Sequence, residues 1–198
     1  MKSLLAYPCR FFIPKKTLLF LSIGKLLAKQ LVFWLILGLA ALPIRGEAET
    51  NAEIINREFQ LKTAYLFHFA ELTEWPATLP ITICLQGASP LRQYLPALEG
   101  LPINGKAAHI LLDQQNDAVE CRILFLSDNT LLTPALTEQS KLHHILLVSD
   151  ADGFAAQGGM VQFAQRDNKL KLVINLSAVN QAGLKLSSKL LRMAEILE

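Results

Sequence analysis

The chain has 198 residues, 19 Lys and Arg against 17 Asp and Glu, and a hydrophobic fraction of 52%. That length suits one domain and scarcely two. The small net charge of +2 gives no general basic surface and so argues against a nucleic-acid partner.

The first 48 residues carry most of what looks basic and apolar. Lys2, Arg10, Lys15, Lys16, Lys25 and Lys29 precede an uncharged apolar run of 14 residues from Leu31 to Ile44, ended by Arg45. A membrane-spanning helix needs about 20. A positive lead, a short apolar stretch and the small residues of Gly46-Glu47-Ala48 describe a secretory signal cut after Ala48, with a lead longer than usual. A retained membrane anchor is the other reading. The expected division is therefore a signal peptide over 1–48 and one folded domain over 49–198. Residues 1–48 hold seven basic and one acidic side chain, leaving 12 basic and 16 acidic, a net charge of −4.

Beyond the leader, Thr50 or Asn51 can cap a helix with Glu53 in its first turn. Ile55, Phe59, Lys62, Leu66 and Phe69 recur at steps of three and four, which puts an apolar stripe on one face with Lys62 at its margin. Pro76 and Pro80 close this segment. Ile81 to Gln86 reads as a buried strand. Ser89-Pro90 opens a helix through about Leu98, and Asn104-Gly105 is a turn. Strands come next at 107–112, 121–127 and 144–148, with a short helix at 130–140 between the last two. Apolar runs alternating with helices indicate a mainly parallel sheet covered on both faces.

The pattern then changes. Met160 to Gln165 and Lys169 to Asn175 flank Arg166-Asp167-Asn168 as an antiparallel hairpin on the sheet edge. A short helix runs from Leu176 to Ala182, and Ser187-Ser188 caps a final helix with Leu190, Leu191, Ala194 and Leu197 as its apolar side. The expected fold is a single three-layer α/β domain with a mainly parallel, mixed sheet, a C-terminal β-hairpin and terminal helices.

Catalytic and metal signals are weak. Adjacent His143 and His144 would face opposite sides of a strand, and His68 and His109 have no metal-site spacing with Cys84 or Cys121. Asp150-Ala151-Asp152-Gly153 lacks the remaining ligands of a calcium loop and reads as a strand-to-helix turn. There is no nucleophile elbow, phosphate loop or dinucleotide fingerprint. The reading is of a protein that is not an enzyme and uses no cofactor. Cys84 and Cys121 enclose a loop for which chain entropy gives a bridge about 4 kcal/mol. They are either bridged or two buried thiols in neighbouring strands.

Several pieces of the chain, in order, resemble the YfiR family. They are Glu58-x-Gln60-x-Lys62-x-Ala64-Tyr65-Leu66 continuing through Phe69-Ala70 to Glu74-Trp75-Pro76, then Gly100-x-x-Ile103-Asn104-Gly105-Lys106, then Cys121 to Ser127. Val148-Ser149-Asp150, Gly153-Phe154, Gly158-Gly159-Met160-Val161 and Phe163 come after them, and last Ile174-Asn175-Leu176 with Ala182 to Leu191. The resemblance implies a periplasmic protein that binds the periplasmic part of a membrane diguanylate cyclase or sensor kinase and represses it, lowering cyclic di-GMP and biofilm formation. It further implies an outer-membrane lipoprotein as a second partner, a homodimer and redox sensitivity. The family's further cysteine pair has no counterpart here. The binding residues expected are Tyr65, Phe69, Glu74, Trp75, Gly158, Gly159, Ser187 and Lys189. The alternative is a periplasmic small-ligand sensor with Phe69, Trp75 and the Gly158-Gly159 turn near the ligand.

Overall fold

The computed structural model describes residues 51–76, 80–113, 118–167 and 169–197; the expected signal peptide lies outside them. Helix α1 (Asn51–Leu72) buries Phe59, Lys62, Thr63, Leu66, Phe69 and Ala70, the expected stripe from Phe59 onward, whereas Ile55, its expected first member, is exposed. Lys62 departs from the expectation. It is not marginal but only 3% exposed, because its ammonium finds Glu58 and Asp150 at 2.6 and 2.7 Å and lies 4.7 Å from the Phe59 ring centroid. A charge can be buried in this way when paired.

Two extended residues, β1 (Thr73–Glu74), end the helix, and β2 (Thr82–Gln86) enters the sheet. The expected helix from Ser89 is instead two 3₁₀ turns, Pro90–Gln93 and Leu95–Leu98. Pro96 has no N–H to continue a helical ladder. A small hairpin, β3 (Pro102–Ile103) and β4 (Lys106–Ala107), turns on Asn104 and Gly105, both with positive φ. Strands β5 (His109–Leu112) and β6 (Ile123–Leu126) come next. Helix α2 (Pro134–His143) is capped by Thr133 Oγ1 and has proline in its first turn. It ends on His144, left-handed at φ 56°, so strand β7 is Leu146–Ser149 and His144 lies outside it. The two histidines therefore do not face opposite sides of one strand.

The antiparallel hairpin is β8 (Val161–Arg166) and β9 (Lys169–Asn175), with Asp167 at positive φ in its turn. Helix α3 (Leu176–Gln181), β10 (Lys185–Leu186), α4 (Ser188–Leu191) and β11 (Ala194–Leu197) complete the described chain. The expected terminal helix is one turn long. Its second half is instead strand β11, parallel to β9 with Ala194 opposite Leu172 and Leu197 opposite Asn175. The hairpin is consequently inside the sheet, and β11 forms the edge.

The seven-stranded order is β11-β9-β8-β7-β6-β2-β5, and all neighbours are parallel except β8 and β9. Every residue of β6 and β7 is buried, as expected of central strands covered on both faces. On β8, Phe163 belongs to the main core while its neighbour Ala164 packs with Ala155, Val173 and Leu197 in a separate cluster, the alternation of a strand between two layers. Cys84 and Cys121 are bridged, with Cα atoms 5.8 Å apart, and both are fully buried.

Candidate functional site

The aromatic end of α1 divides into an inner and an outer part. Phe69 is fully buried and stacks on Phe163 at 5.7 Å, with half-buried Tyr65 6.0 Å from Phe69 and 5.9 Å from Phe163. Phe69 thus anchors the helix to β8 and offers no surface to a ligand or partner. Trp75 is half-buried, and its Nε1 donates to the Ala70 carbonyl at 3.3 Å, folding the indole back over the helix end.

The outer part collects four of the expected residues. Strands β1 and β10 pair antiparallel, placing exposed Glu74 opposite exposed Lys185 and Thr73 opposite Leu186. The Ser187 N–H then donates to the Leu72 carbonyl at 2.9 Å. Ser187 Oγ accepts the Leu190 N–H at 3.3 Å, the expected cap, and Lys189 is exposed on α4. A side chain on Gly183 would touch His144 and Pro76, and His144 Nδ1 lies 2.7 Å from the Ala182 carbonyl oxygen. Glu74, Trp75, Ser187 and Lys189 therefore share the C-terminal end of α1.

The glycine pair lies elsewhere. Gly158 (φ +103°) and Gly159 lead into β8. A side chain on Gly159 would collide with the buried Phe154 ring, so this glycine is needed for close approach. Gly158 opens on a small polar pocket with Lys141, Asn175, Ser177 and Gln181, which none of the other expected residues lines.

The usual ligand crevice of an open α/β sheet lies beyond the carboxyl ends of strands where the order reverses, here at β2. The chain goes from β2 to β5 on one side and then to β6 on the other. At that reversal Gly87 lies so close to Ser127 that any side chain on it would clash.

Two groups of polar residues went unmarked in the sequence. One is the cluster of Lys62, Glu58 and Asp150, extended by Gln165 Nε2, which donates to Glu58 Oε2 at 2.6 Å. Asp150 is thereby an ion-pair partner of Lys62. The other is Arg122, 8% exposed at the start of β6, where burial lowers its pKa. Its only signal was an arginine at the head of an apolar strand. Elsewhere, Asp113 is held below the ordinary carboxylate value by its hydrogen bond with Arg92, and Asp128 by the Thr130 N–H. Among the described residues no group of three or more His, Cys, Asp or Glu is placed to hold a metal, and no helix is long and apolar enough to cross a membrane.

A family model described as YfiR/HmsC-like matches residues 59–195, from the middle of α1 into β11. No curated protein matches the chain by sequence.

Proposed function

The chain belongs to the YfiR/HmsC-like family, and we propose that it is a periplasmic regulatory protein that binds and represses the outer part of an inner-membrane signalling protein, a diguanylate cyclase. The observation that carries this reading is the family match across nearly the whole described domain. A bridge between Cys84 and Cys121 is in keeping with an oxidising compartment. The surface offered to the partner is the end of α1, where Glu74, Trp75, Ser187 and Lys189 combine an amphipathic indole with charges of both signs. Such a mixture of aromatic and charged groups suits a regulatory contact that forms and releases.

Recovery of protein from membranes tests the reading. The purified protein should retain a cyclase or sensor kinase in a pull-down, and Trp75→Ala with Lys189→Glu should lose it. Deletion of the gene should raise cyclic di-GMP. If both effects were absent, the regulatory reading would have no support. Sequestration by an outer-membrane lipoprotein belongs to the same proposal and predicts competition with the cyclase for this surface. So does a homodimer, for which Ile54 and Leu61 of α1 supply exposed apolar area beside Leu170. Ile54→Glu with Leu61→Glu should then shift the sedimentation coefficient to that of a monomer.

The alternative, a small-ligand sensor, loses its original site, since Phe69 is core and Gly158 faces another pocket. A different groove, at Arg122, favours a ligand.

A further inference from the structure

Arg122 keeps a guanidinium below the surface and uses little of it. Its Nη1 donates to two backbone carbonyls, Cys121 at 3.2 Å and His143 at 2.9 Å. The hydrogens of Nε and Nη2 form the other edge of the group, the edge that matches a carboxylate with two parallel bonds. Among the described residues this edge has no acceptor and Arg122 has no acidic partner. Burial lowers its pKa. A buried cation is normally kept with a counter-charge.

The register supplies its surroundings. Thr82 of β2 is opposite His109 of β5. It also lies abreast of Arg122, one step before the Ile83–Ile123 pair, and accepts the Arg122 N–H on its carbonyl at 2.8 Å. Residues abreast on parallel strands point to the same face. His109, Thr82 and Arg122 therefore form one row, spanning about 10 Å at ordinary strand spacing. The row lines an open groove of about 720 Å³ together with Pro80, Leu111 and Val119. That volume is in the range of small-molecule sites, which join an apolar wall to a few fixed polar groups.

Two carboxylates stand at the same groove, Glu99 and Glu120. Glu99 is engaged, accepting the Ile110 N–H at 2.7 Å with His109 Nδ1 at 3.2 Å; Glu120 is exposed. Their charge disfavours a dianion such as a phosphate ester, while one carboxylate docked on the Arg122 edge is neutralised where it sits.

We propose that this groove binds monocarboxylic acids with an apolar body, of the fatty-acid or aryl-alkanoic kind. The carboxylate meets Nε and Nη2 of Arg122 beside the Thr82 hydroxyl, and the apolar part lies on Leu111, Val119 and Pro80. The site does not depend on the regulatory reading and shares none of the residues at the end of α1.

The test is an NMR titration of the purified protein with octanoate and 3-phenylpropanoate. Octanamide serves as neutral isostere and octyl phosphate as dianion. Saturable shifts are expected at Thr82, Leu111 and Val119 with an acid, and binding about tenfold or more weaker with the amide and the phosphate. Arg122→Gln should lose about tenfold or more, with Arg122→Lys in between, since an ammonium cannot offer the two-bond edge. Arg122 also ties β6 to the end of α2, so its replacement can disturb folding. Leu111→Trp fills the groove without touching those bonds and should abolish binding with the circular dichroism unchanged. Absence of saturable binding by either acid overturns the proposal. So does equal affinity for octanoate and octanamide, or binding indifferent to Leu111→Trp.

Discussion

Lys62 Nζ lies 2.7 Å from Asp150 Oδ2, joining the middle of α1 to the turn after β7 across 88 residues of sequence. The ammonium is nearly inaccessible, whereas both acids keep some water: the side chains are 4% exposed for Lys62, 25% for Asp150 and 21% for Glu58. Removing Asp150 leaves a buried cation with one partner, and Asp150→Ala should cost about 2–3 kcal/mol, below the full loss for a wholly buried pair. Glu58→Ala, which removes a partner from the same helix, should cost about 1 kcal/mol. In a cycle of Lys62→Met and Asp150→Ala read by urea unfolding, the coupling should be about 1–3 kcal/mol. Additive single effects would show that the contact contributes nothing.

That pair marks where sequence reasoning reached its limit. The parallel strands were legible because 123–126 and 146–149 are buried throughout, and a continuous apolar run reports this directly. The hairpin was legible from Arg166-Asp167-Asn168. Lys62 was misplaced because its fate depends on Asp150, which no local pattern connects to it. Leu190, Leu191, Ala194 and Leu197 have helical spacing, yet Ala194–Leu197 is a strand because β9 offers it a free edge. Four residues are too few for periodicity to decide. The candidate site was half legible. Trp75, Glu74, Ser187 and Lys189 meet, but Gly158 faces another pocket, Gly159 packs against Phe154, and the partners of Arg122 are set by strand register.

The bridge between Cys84 and Cys121 joins residues 37 apart and has no exposure at either end. Cys84→Ala with Cys121→Ala should lower stability by about 4 kcal/mol, the loop-entropy value, seen as a lower urea midpoint. Burial also predicts the kinetics of reduction. Reductant should open the bridge only as fast as the domain itself opens, so thiol alkylation followed by mass spectrometry should track the urea dependence of unfolding. Fast reduction in native buffer would contradict the burial.

The two glycines before β8 should fail for different reasons. Gly159→Ala drives a methyl into the Phe154 ring, which is itself fully buried, and should cost about 1–3 kcal/mol through overpacking. Gly158→Ala meets open space but must hold φ +103°, at roughly 1–2 kcal/mol. Phe154→Leu discriminates the two. It should relieve part of the Gly159→Ala cost, and its effect should simply add to that of Gly158→Ala, in thermal melts of the single and double variants.

The acid limb of stability should carry the mark of Asp128. Its Oδ1 accepts the Thr130 N–H at 2.7 Å at the head of the turn Asn129–Leu131, and that backbone hydrogen bond holds its pKa below the ordinary 3.8. A carboxylate with a depressed folded pKa stabilises the native state above its unfolded value. As pH falls the unfolded chain takes up the proton first, and the contribution is lost through the folded value. Asp128→Asn keeps an acceptor at the cap and removes only the charge. Wild type should therefore be the more stable near neutrality, and the gap in urea midpoint should close as pH falls below 3.8. A gap that stays constant with pH would place the whole effect in cap geometry rather than in the ionised carboxylate.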